Sequence, residues 1–359
     1  MPKPHVIIET GSYQTRGGLA GDTAPRVIQP TLVGRGVGEK SNETYIGAAA
    51  RASREGVVQS QPVREGEIRN WDDVEAIWRD VLTDKLGLNP QEHNVLLITP
   101  PSLNSQDKEK ITQIMFEKFK VPGLFVANSG ALSLYAAGRL SGVVLEVGEG
   151  VVHAAPSHEG YLLPKAVTRW AFGGSGQNEF LCKQLSEKGY NLASEAVRQI
   201  KESMCYVAKN YDLEMAKSSD ADFQKTFKLP DETAVTLGSE MFKTSEVLFT
   251  PSVAGLSCGG IVALLDEAIG KCSAEQQKLM YSNIVVAGGP TLASGFVDRL
   301  KKEVKSRAAD ATVVGGEHRE HAAWLGGSTL AALENFQSMW ITAAEYRDKG
   351  AAVVHDKCK

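Results

Sequence analysis

Apolar residues along this chain fall into short unbroken runs and into longer stripes at helical spacing. Val6, Ile7 and Ile8 form one run, Val143, Val144 and Leu145 a second, and the segment NIVVAGG, Asn283–Gly289, holds a third. Unbroken β-branched runs of this length suit central strands covered on both faces. The first two read VIIETGS and VVLEVGE; each ends in Glu-x-Gly, then a polar or charged residue, then a second strand-like stretch. Gly11 and Gly148 stand where a hairpin must turn tightly. One such unit in each half predicts an α/β chain of two similar domains.

Helical stripes lie between these strands. Asn70 precedes Trp71, Val74, Ile77, Trp78, Val81 and Leu82, with Asp73 three residues after the expected cap. Ser105 is the expected cap of a second helix, QDKEKITQIMFEKF, whose Ile111, Ile114, Met115 and Phe119 share a face. Ser194 is expected to cap a third, carrying Val197, Ile200 and Met204 inward, and a helix-like HAAWLGGSTLAALENF follows late in the chain. The Trp and Met stripes read as core faces. RGVGEKSNETY, residues 35–45, is polar and glycine-rich without apolar period and reads as an exposed loop.

Length and composition add bounds. At 359 residues the chain is too long for one compact core. Its 42% hydrophobic and 23% charged residues are those of an ordinary globular protein. A formal charge of −4 gives no general attraction to nucleic acid or to an anionic membrane. Cys182, Cys205, Cys258, Cys272 and Cys358 are scattered without a C-x-x-C pair. That spacing argues against a disulfide framework or zinc site and fits a reducing compartment. MPKPHVIIETG runs into a strand-like segment without a signal-peptide apolar stretch, and no apolar run approaches roughly 18 residues. A soluble protein of the cytoplasm is expected, with no membrane partner; the nucleus stays open.

Three glycine turns carry the candidate chemistry. Successive backbone N–H groups in such a turn can point into one concavity and cradle an anion. Gly11-Ser12-Tyr13 and Gly148-Glu149-Gly150-Val151 are two candidate phosphate clamps. Glu9 and Glu146, at the strand ends, could hold a hydrated magnesium, which prefers oxygen ligands and keeps most of its waters. Gly288-Gly289-Pro290 leaves room for a flat base. Three ordinary β-turns are the alternative.

Read end to end, the chain resembles the actin family. The resemblance runs from about Val6 to Cys358 through LAGDTAPRVIQPTLVGR (19–35), EIRNWDDVEAIW (67–78), ITQIMFEKFKVPGLFVA (111–127) and LSLYAAGRLSGVVLE (132–146). It continues through EGYLLPKAVTR (159–169), IKESMCYVAKNY (200–211), YSNIVVAGGPTL (281–292), WLGGSTLAAL (324–333) and VVHDKCK (353–359). It implies an actin-like ATPase fold, two duplicated mixed-sheet α/β domains around a nucleotide cleft, with ATP or ADP and Mg2+ (or Ca2+) as cofactors. The implied organisation is subdomain 1 at residues 1–30, 62–136 and 325–359, subdomain 2 at 31–61, subdomain 3 at 137–172 and 257–324, and subdomain 4 at 173–256.

Carried over residue by residue, the first phosphate hairpin keeps Gly11 and Ser12. The family's aspartate is Glu9, its glycine after the serine is Tyr13, and its phosphate-contacting lysine is Arg16. Arginine keeps the charge with a different donor geometry, and a positive φ at Tyr13 would be strained. The second hairpin keeps Gly148 and Gly150 before Val151, while both family aspartates are Glu146 and Glu149. Lys201 and Glu202 match the pair that reaches ribose and adenine, with Arg198 preceding them at helical spacing; Gly288 and Gly289 match the turn beside phosphates and base, where the next residue departs to Pro290. The adenine-flanking tyrosine and lysine are Ala293 and Glu320. The water-positioning pair of actins is His153 and, in place of a glutamine, the shorter Ser129, so hydrolysis is expected to be slow at most.

The resemblance also implies surfaces. The filament-inserting loop corresponds to Gly36–Thr44, several residues shorter and without an apolar tip, and the plug-like segment to Ser252–Gly260. A groove for actin-binding regulators maps to Tyr135, Gly138, Leu140, Leu330 and Leu333. The expected function is an actin-like cytoskeletal protein that binds ATP or ADP and assembles with itself, conventional actin or partners. The alternative is a nucleotide-locked or nucleotide-free scaffold subunit of a dynein-activator or chromatin complex. A sugar kinase or chaperone of the same superfamily would need a substrate pocket or peptide domain for which this length leaves no room.

Overall fold

The computed structural model describes residues 3–52 and 55–358; the ends of the expected subdomain 1, Met1–Pro2 and Lys359, and positions 53–54 of subdomain 2 lie outside the described residues. Contacts divide the chain into two units, residues 1–144, 155–167 and 321–359, and residues 145–154 and 168–320.

The first unit opens with an antiparallel meander of β1 (Val6–Thr10), β2 (Gln14–Leu19) and β3 (Val27–Pro30). β4 (Val33–Gly36), β5 (Thr44–Ile46), α1 (Ala48–Arg51) and β6 (Val57–Ser60) build a small sheet of order β5-β4-β6. A short hairpin, β7 (Val63–Arg64) and β8 (Glu67–Ile68), leads into α2 (Trp71–Arg79). β9 (Val95–Thr99), α3 (Ser105–Ile114), β10 (Gly123–Asn128) and α4 (Ser129–Ala136) follow. β9 runs parallel to β1 with Val95 opposite Val6, and β10 runs parallel to β9. Val6, Ile7 and Ile8 are fully buried, as an unbroken apolar run in a central strand requires.

β11 (Gly142–Val147) and β12 (Val152–His158) pass from one unit to the other, at Val144/Leu145 and Ala154/Ala155. β13 (Tyr161–Leu162) pairs with the end of β12 in the first unit, and β14 (Thr168–Trp170) with its start in the second. The second unit continues with α5 (Gly174–Glu187), α6 (Ser194–Met204), α7 (Tyr211–Lys217), the hairpin β15 (Lys225–Lys228) and β16 (Ala234–Leu237), and α8 (Glu240–Glu246). After α9 (Ile261–Gly270) and α10 (Ala274–Ser282) come β17 (Ile284–Ala287), α11 (Phe296–Lys305) and β18 (Val313–Gly315). Its sheet follows the order β14-β12-β11-β17-β18, with β17 parallel to β18. Arg299 of α11 forks onto the buried Glu246 carboxylate at 2.9 and 3.0 Å, so the buried charge is paired.

The chain then returns to the first unit through α12 (Ala322–Ala331), β19 (Ile341–Thr342), α13 (Ala343–Lys349) and α14 (Val353–Lys357), completing the sheet β19-β10-β9-β1-β2-β3. The glycine pair in WLGGS explains how α12 seats. A Cβ on Gly326 would lie 1.9 Å from the Leu132 carbonyl oxygen of α4, and one on Gly327 would press on Ile98 and Ile7 of the sheet.

Local expectations are corrected in five places. Asn70 caps α2 as read, accepting the Asp73 N–H, but the helix widens into π-helical turns over Asp80–Lys85. The cap of α3 is Asn104, one residue before Ser105, because its side chain accepts the Asp107 N–H. Ser194 is the first residue of α6, and Ala193 before it supplies no side-chain cap. The polar 35–45 segment is not all loop: Arg35 and Gly36 belong to β4, Thr44 and Tyr45 to β5, and Gly38–Lys40 forms a 3₁₀ turn. The late helix stops at Ala331, short of the expected Phe336.

Candidate functional site

The first hairpin lies in the first unit. Thr10 faces Thr15 and Glu9 faces Arg16 across the strands, and the turn closes where Gly11 N–H donates to Gln14 O at 2.9 Å. Ser12 is buried; its carbonyl accepts from Gln61 at 2.8 Å and its Oγ from the Gly66 N–H at 3.2 Å. Tyr13 does not adopt a positive φ, so the strain anticipated there does not arise. Its ring lies 5.1 Å below the Arg51 guanidinium, which also donates to the Tyr13 hydroxyl at 3.2 Å. Arg16 Nη1 approaches Glu9 Oε2 at 3.2 Å, both side chains being largely withdrawn from solvent. The geometry is that of an ion pair more than of an aligned hydrogen bond: Arg16 Nε and Glu9 Oε2 are buried without a hydrogen-bond partner among the described residues.

The second hairpin repeats the closure in the second unit. Gly148 N–H donates to Val151 O at 2.9 Å, and a Cβ on Gly148 would crowd that oxygen at 3.0 Å. The start of α5 docks on this turn. Gly174 N–H donates to Gly148 O at 3.0 Å, and the Ser175 N–H and hydroxyl both reach Glu149 O at 2.8 Å. Gly173 and Gly174 allow the approach, since Cβ atoms there would lie 2.3 Å from Gly148 O and 2.4 Å from Glu149 Oε2. Arg198 donates to Glu149 Oε1 at 3.0 Å, and the buried Lys201 donates to Gly174 O at 2.9 Å. Burial holds the Lys201 ammonium below the usual lysine range, against the pull of the Glu149 charge.

The third turn joins this patch. Gly288 has φ +97°, and a Cβ there would overlap Val147 O at 2.0 Å, so only glycine fits. No atom lies within 4 Å of a Cβ built on Gly289, whereas Pro290 Cγ is 3.3 Å from the Cβ position of Gly174. The second unit therefore gathers Gly148, Glu149, Arg198, Lys201, Gly288 and Pro290. Gly150 and Val151 are buried beside them, Glu146 is half-buried near the end of β11, and Glu202 is exposed.

His153, on β12 opposite Arg169, is buried, and burial with the Arg169 charge pushes its pKa down to about 4. The imidazole is therefore neutral near pH 7. Ser129, in the first unit, is the buried first residue of α4 behind the Asn128 cap, whose side chain accepts the Ala131 N–H at 2.8 Å.

Each hairpin, taken by itself, offers groups that suit a phosphate oxygen. The amides of Ser12, Glu149 and Gly150 find no acceptor among the described residues. Arg16 Nε is a buried donor, and Glu9 Oε2, ion-paired with Arg16 Nη1 at 3.2 Å, is a buried acceptor without an aligned hydrogen bond among the described residues. Among the described residues no group of three or more His, Cys, Asp or Glu side chains gathers. The sequence reading missed Gly173, Gly174 and Ser175, which close α5 onto the second hairpin; the run GGSG ahead of a helix was their signal. Gln61 and Arg51, which hold the first hairpin, carried none.

Of the predicted surface residues, Tyr135 on α4 and Leu330 on α12 are partly buried, while Leu140 and Leu333 are exposed. Ser252 and Leu256–Gly259 in the plug-like segment are exposed, and Gly260 is buried. No helix among the described residues is long and apolar enough to cross a membrane.

Two units, each with a mixed sheet and a glycine hairpin closed by the same hydrogen bond, define a duplicated α/β protein. A family model described as Actin matches residues 2–196 and 190–359, and the chain belongs to the actin family. Proteins of this family generally bind a nucleotide with a divalent cation.

Proposed function

We propose that this is an actin-like cytoskeletal protein that binds ATP or ADP with Mg2+ or Ca2+ through its hairpin residues and turns the nucleotide over slowly at most. The observation that carries the reading is the repeated closure, Gly11 N–H to Gln14 O in one unit and Gly148 N–H to Val151 O in the other. Backbone amides of Ser12, Glu149 and Gly150, with Arg16, would hold phosphate oxygens. Glu9 and Glu146 would hold the cation through water. Lys201, Arg198, Glu202 and the Gly288-Gly289-Pro290 turn would receive the nucleoside end. A bound cation supplies neutralisation of phosphate charge; the chain's own share is positioning. Ser129 is short for orienting water, which favours slow turnover.

The four-subdomain organisation, assembly with itself or conventional actin, regulators at the Tyr135, Gly138, Leu140, Leu330 and Leu333 groove, and a cytoplasmic, cytoskeletal location belong to the same reading. Acid extraction of purified protein, followed by chromatography of the released nucleotide, tests its first part; undegraded protein without nucleotide would sink it. Pelleting with magnesium-ATP and phosphate assayed in the same tube tests assembly and turnover together. A second reading, a scaffold subunit of a dynein-activator or chromatin complex, is favoured by the pairing of Arg16 with Glu9 and of Arg198 with Glu149. A soluble monomer that releases no phosphate would support it.

A further inference from the structure

We propose that Glu9 and Glu149 are built-in counter-anions for Arg16 of the first hairpin and Arg198 of α6, so that the folded chain does not depend on bound nucleotide. The inference rests on the reading above in one respect, that Arg16 and Arg198 belong to the nucleotide site, and departs from it in assigning Arg198 to phosphate rather than to the nucleoside end. Each pair forms inside its own unit. Arg16 and Glu9 have side-chain exposures of 13% and 15%, and Arg198 and Glu149 of 15% and 12%. Four charges so far withdrawn from water would each be costly alone. A guanidinium so far withdrawn from water and left without a counter-charge would draw in solvent or unfold its surroundings; here each already has a carboxylate within its own unit.

The placement of Glu149 strengthens the case. Its Oε2 would be 2.4 Å from a Cβ on Gly174, the first residue of the 14-residue helix α5, where the helix field favours an anion. Arg198 donates to the other oxygen, and the Lys201 ammonium donates to Gly174 O at 2.9 Å. The carboxylate thus takes the charge role a phosphate would take at that helix end. The Glu9 carboxylate does the same for Arg16 across the two strands of the first hairpin. A ligand phosphate must displace these carboxylates, and its apparent affinity is reduced in proportion to the fraction of time the arginine is free.

The test uses full-length protein stripped of nucleotide and metal with EDTA, and metal-free inorganic pyrophosphate as the probe. Stripped wild type is expected to melt in one cooperative transition close to the unstripped protein. Glu9→Gln and Glu149→Gln are expected to lower the Tm of stripped protein by roughly 5 °C and to bind pyrophosphate about tenfold more tightly. A merely structural glutamate would give the first effect without the second. The double variant Glu149→Gln/Arg198→Gln should recover most of the lost Tm and lose the gain in pyrophosphate affinity, which keeps the test readable if a single variant folds poorly. Wild type that unfolds on stripping, or glutamine variants with unchanged pyrophosphate affinity, overturns the proposal. Nucleotide binding by the wild type is scored separately by extraction, so that reading can fail while the counter-anion effect stands, and the reverse.

Discussion

Arg35 of β4 donates its Nε to Oδ1 of Asp73 at 2.8 Å, and Asp73, in the first turn of α2, is wholly buried. The other carboxylate oxygen accepts from Asn70 Nδ2 at 2.9 Å. One carboxylate therefore fastens the small three-stranded sheet to the capped start of α2. Arg35 is about half-exposed, so its own desolvation is modest, but its loss leaves a buried carboxylate with a single neutral partner. Arg35→Ala is expected to cost about 2 kcal/mol, measured from urea midpoints at constant m-value. Amide exchange in Val33–Gly36 and Val57–Ser60 should accelerate with it. Unchanged exchange there would mean that the sheet is held by other contacts.

What the sequence made legible follows from how local each feature is. The two hairpins were readable because Glu-x-Gly after a β-branched run fixes both the strand and its turn within ten residues. The cap of α3 was misplaced by one residue because Asn104 and Ser105 are both good caps; Asp107, three residues beyond Asn104 and donating its N–H to it, is the arithmetic that decides. The 35–45 segment hid two strands because the strand residues it contains, Arg35, Gly36, Thr44 and Tyr45, include no aliphatic side chain, leaving no apolar alternation to read. The GGSG run marked Gly173 and Gly174 as a turn into a helix but not as site residues, since that role lies in contact with Gly148 and Glu149, about 25 residues earlier.

Glycines in helices give a graded test of packing. Gly326→Ala drives a Cβ to 1.9 Å from a backbone oxygen of α4, so one helix must shift, at a cost of roughly 3 kcal/mol or more. At Gly327 the nearest atoms, at 3.1–3.4 Å, are side-chain methyls that can yield, and alanine should cost about 1 kcal/mol or less. At Gly270, the last residue of α9, nothing lies within 4 Å, and alanine should stabilise by about 0.5 kcal/mol. Thermal melts of the three variants should therefore fall in the order Gly270→Ala, Gly327→Ala, Gly326→Ala, from highest to lowest.

His153 makes stability depend on pH. Its folded pKa is lowered to about 4 from 6.5, so between those values the unfolded chain binds the extra proton and the folded chain does not. The contribution is fully present above pH 6.5 and is lost as pH falls through about 4. Its limit is about 3 kcal/mol. His153→Gln should flatten the fall in unfolding free energy between pH 7 and pH 4 by a large part of that amount. An identical pH profile in the variant would show that carboxylates, not this imidazole, dominate acid unfolding.

Ser129 offers the test of turnover. It is the buried first residue of α4, and the Asn128 cap accepts from the Ala131 N–H, not from residue 129. A serine hydroxyl sits close to its own backbone, whereas a glutamine amide extends two carbons further and can hold a water away from the helix end. Since the chemistry of phosphoryl transfer to water is largely positioning, Ser129→Gln should raise phosphate release by roughly tenfold. The assay is single-turnover release from nucleotide-loaded protein, with circular dichroism to show that the helix is intact. A loaded, folded variant with no gain would move the limitation from the water to the glutamate carboxylates Glu9 and Glu146, and Glu146→Asp would then be the variant expected to recover rate.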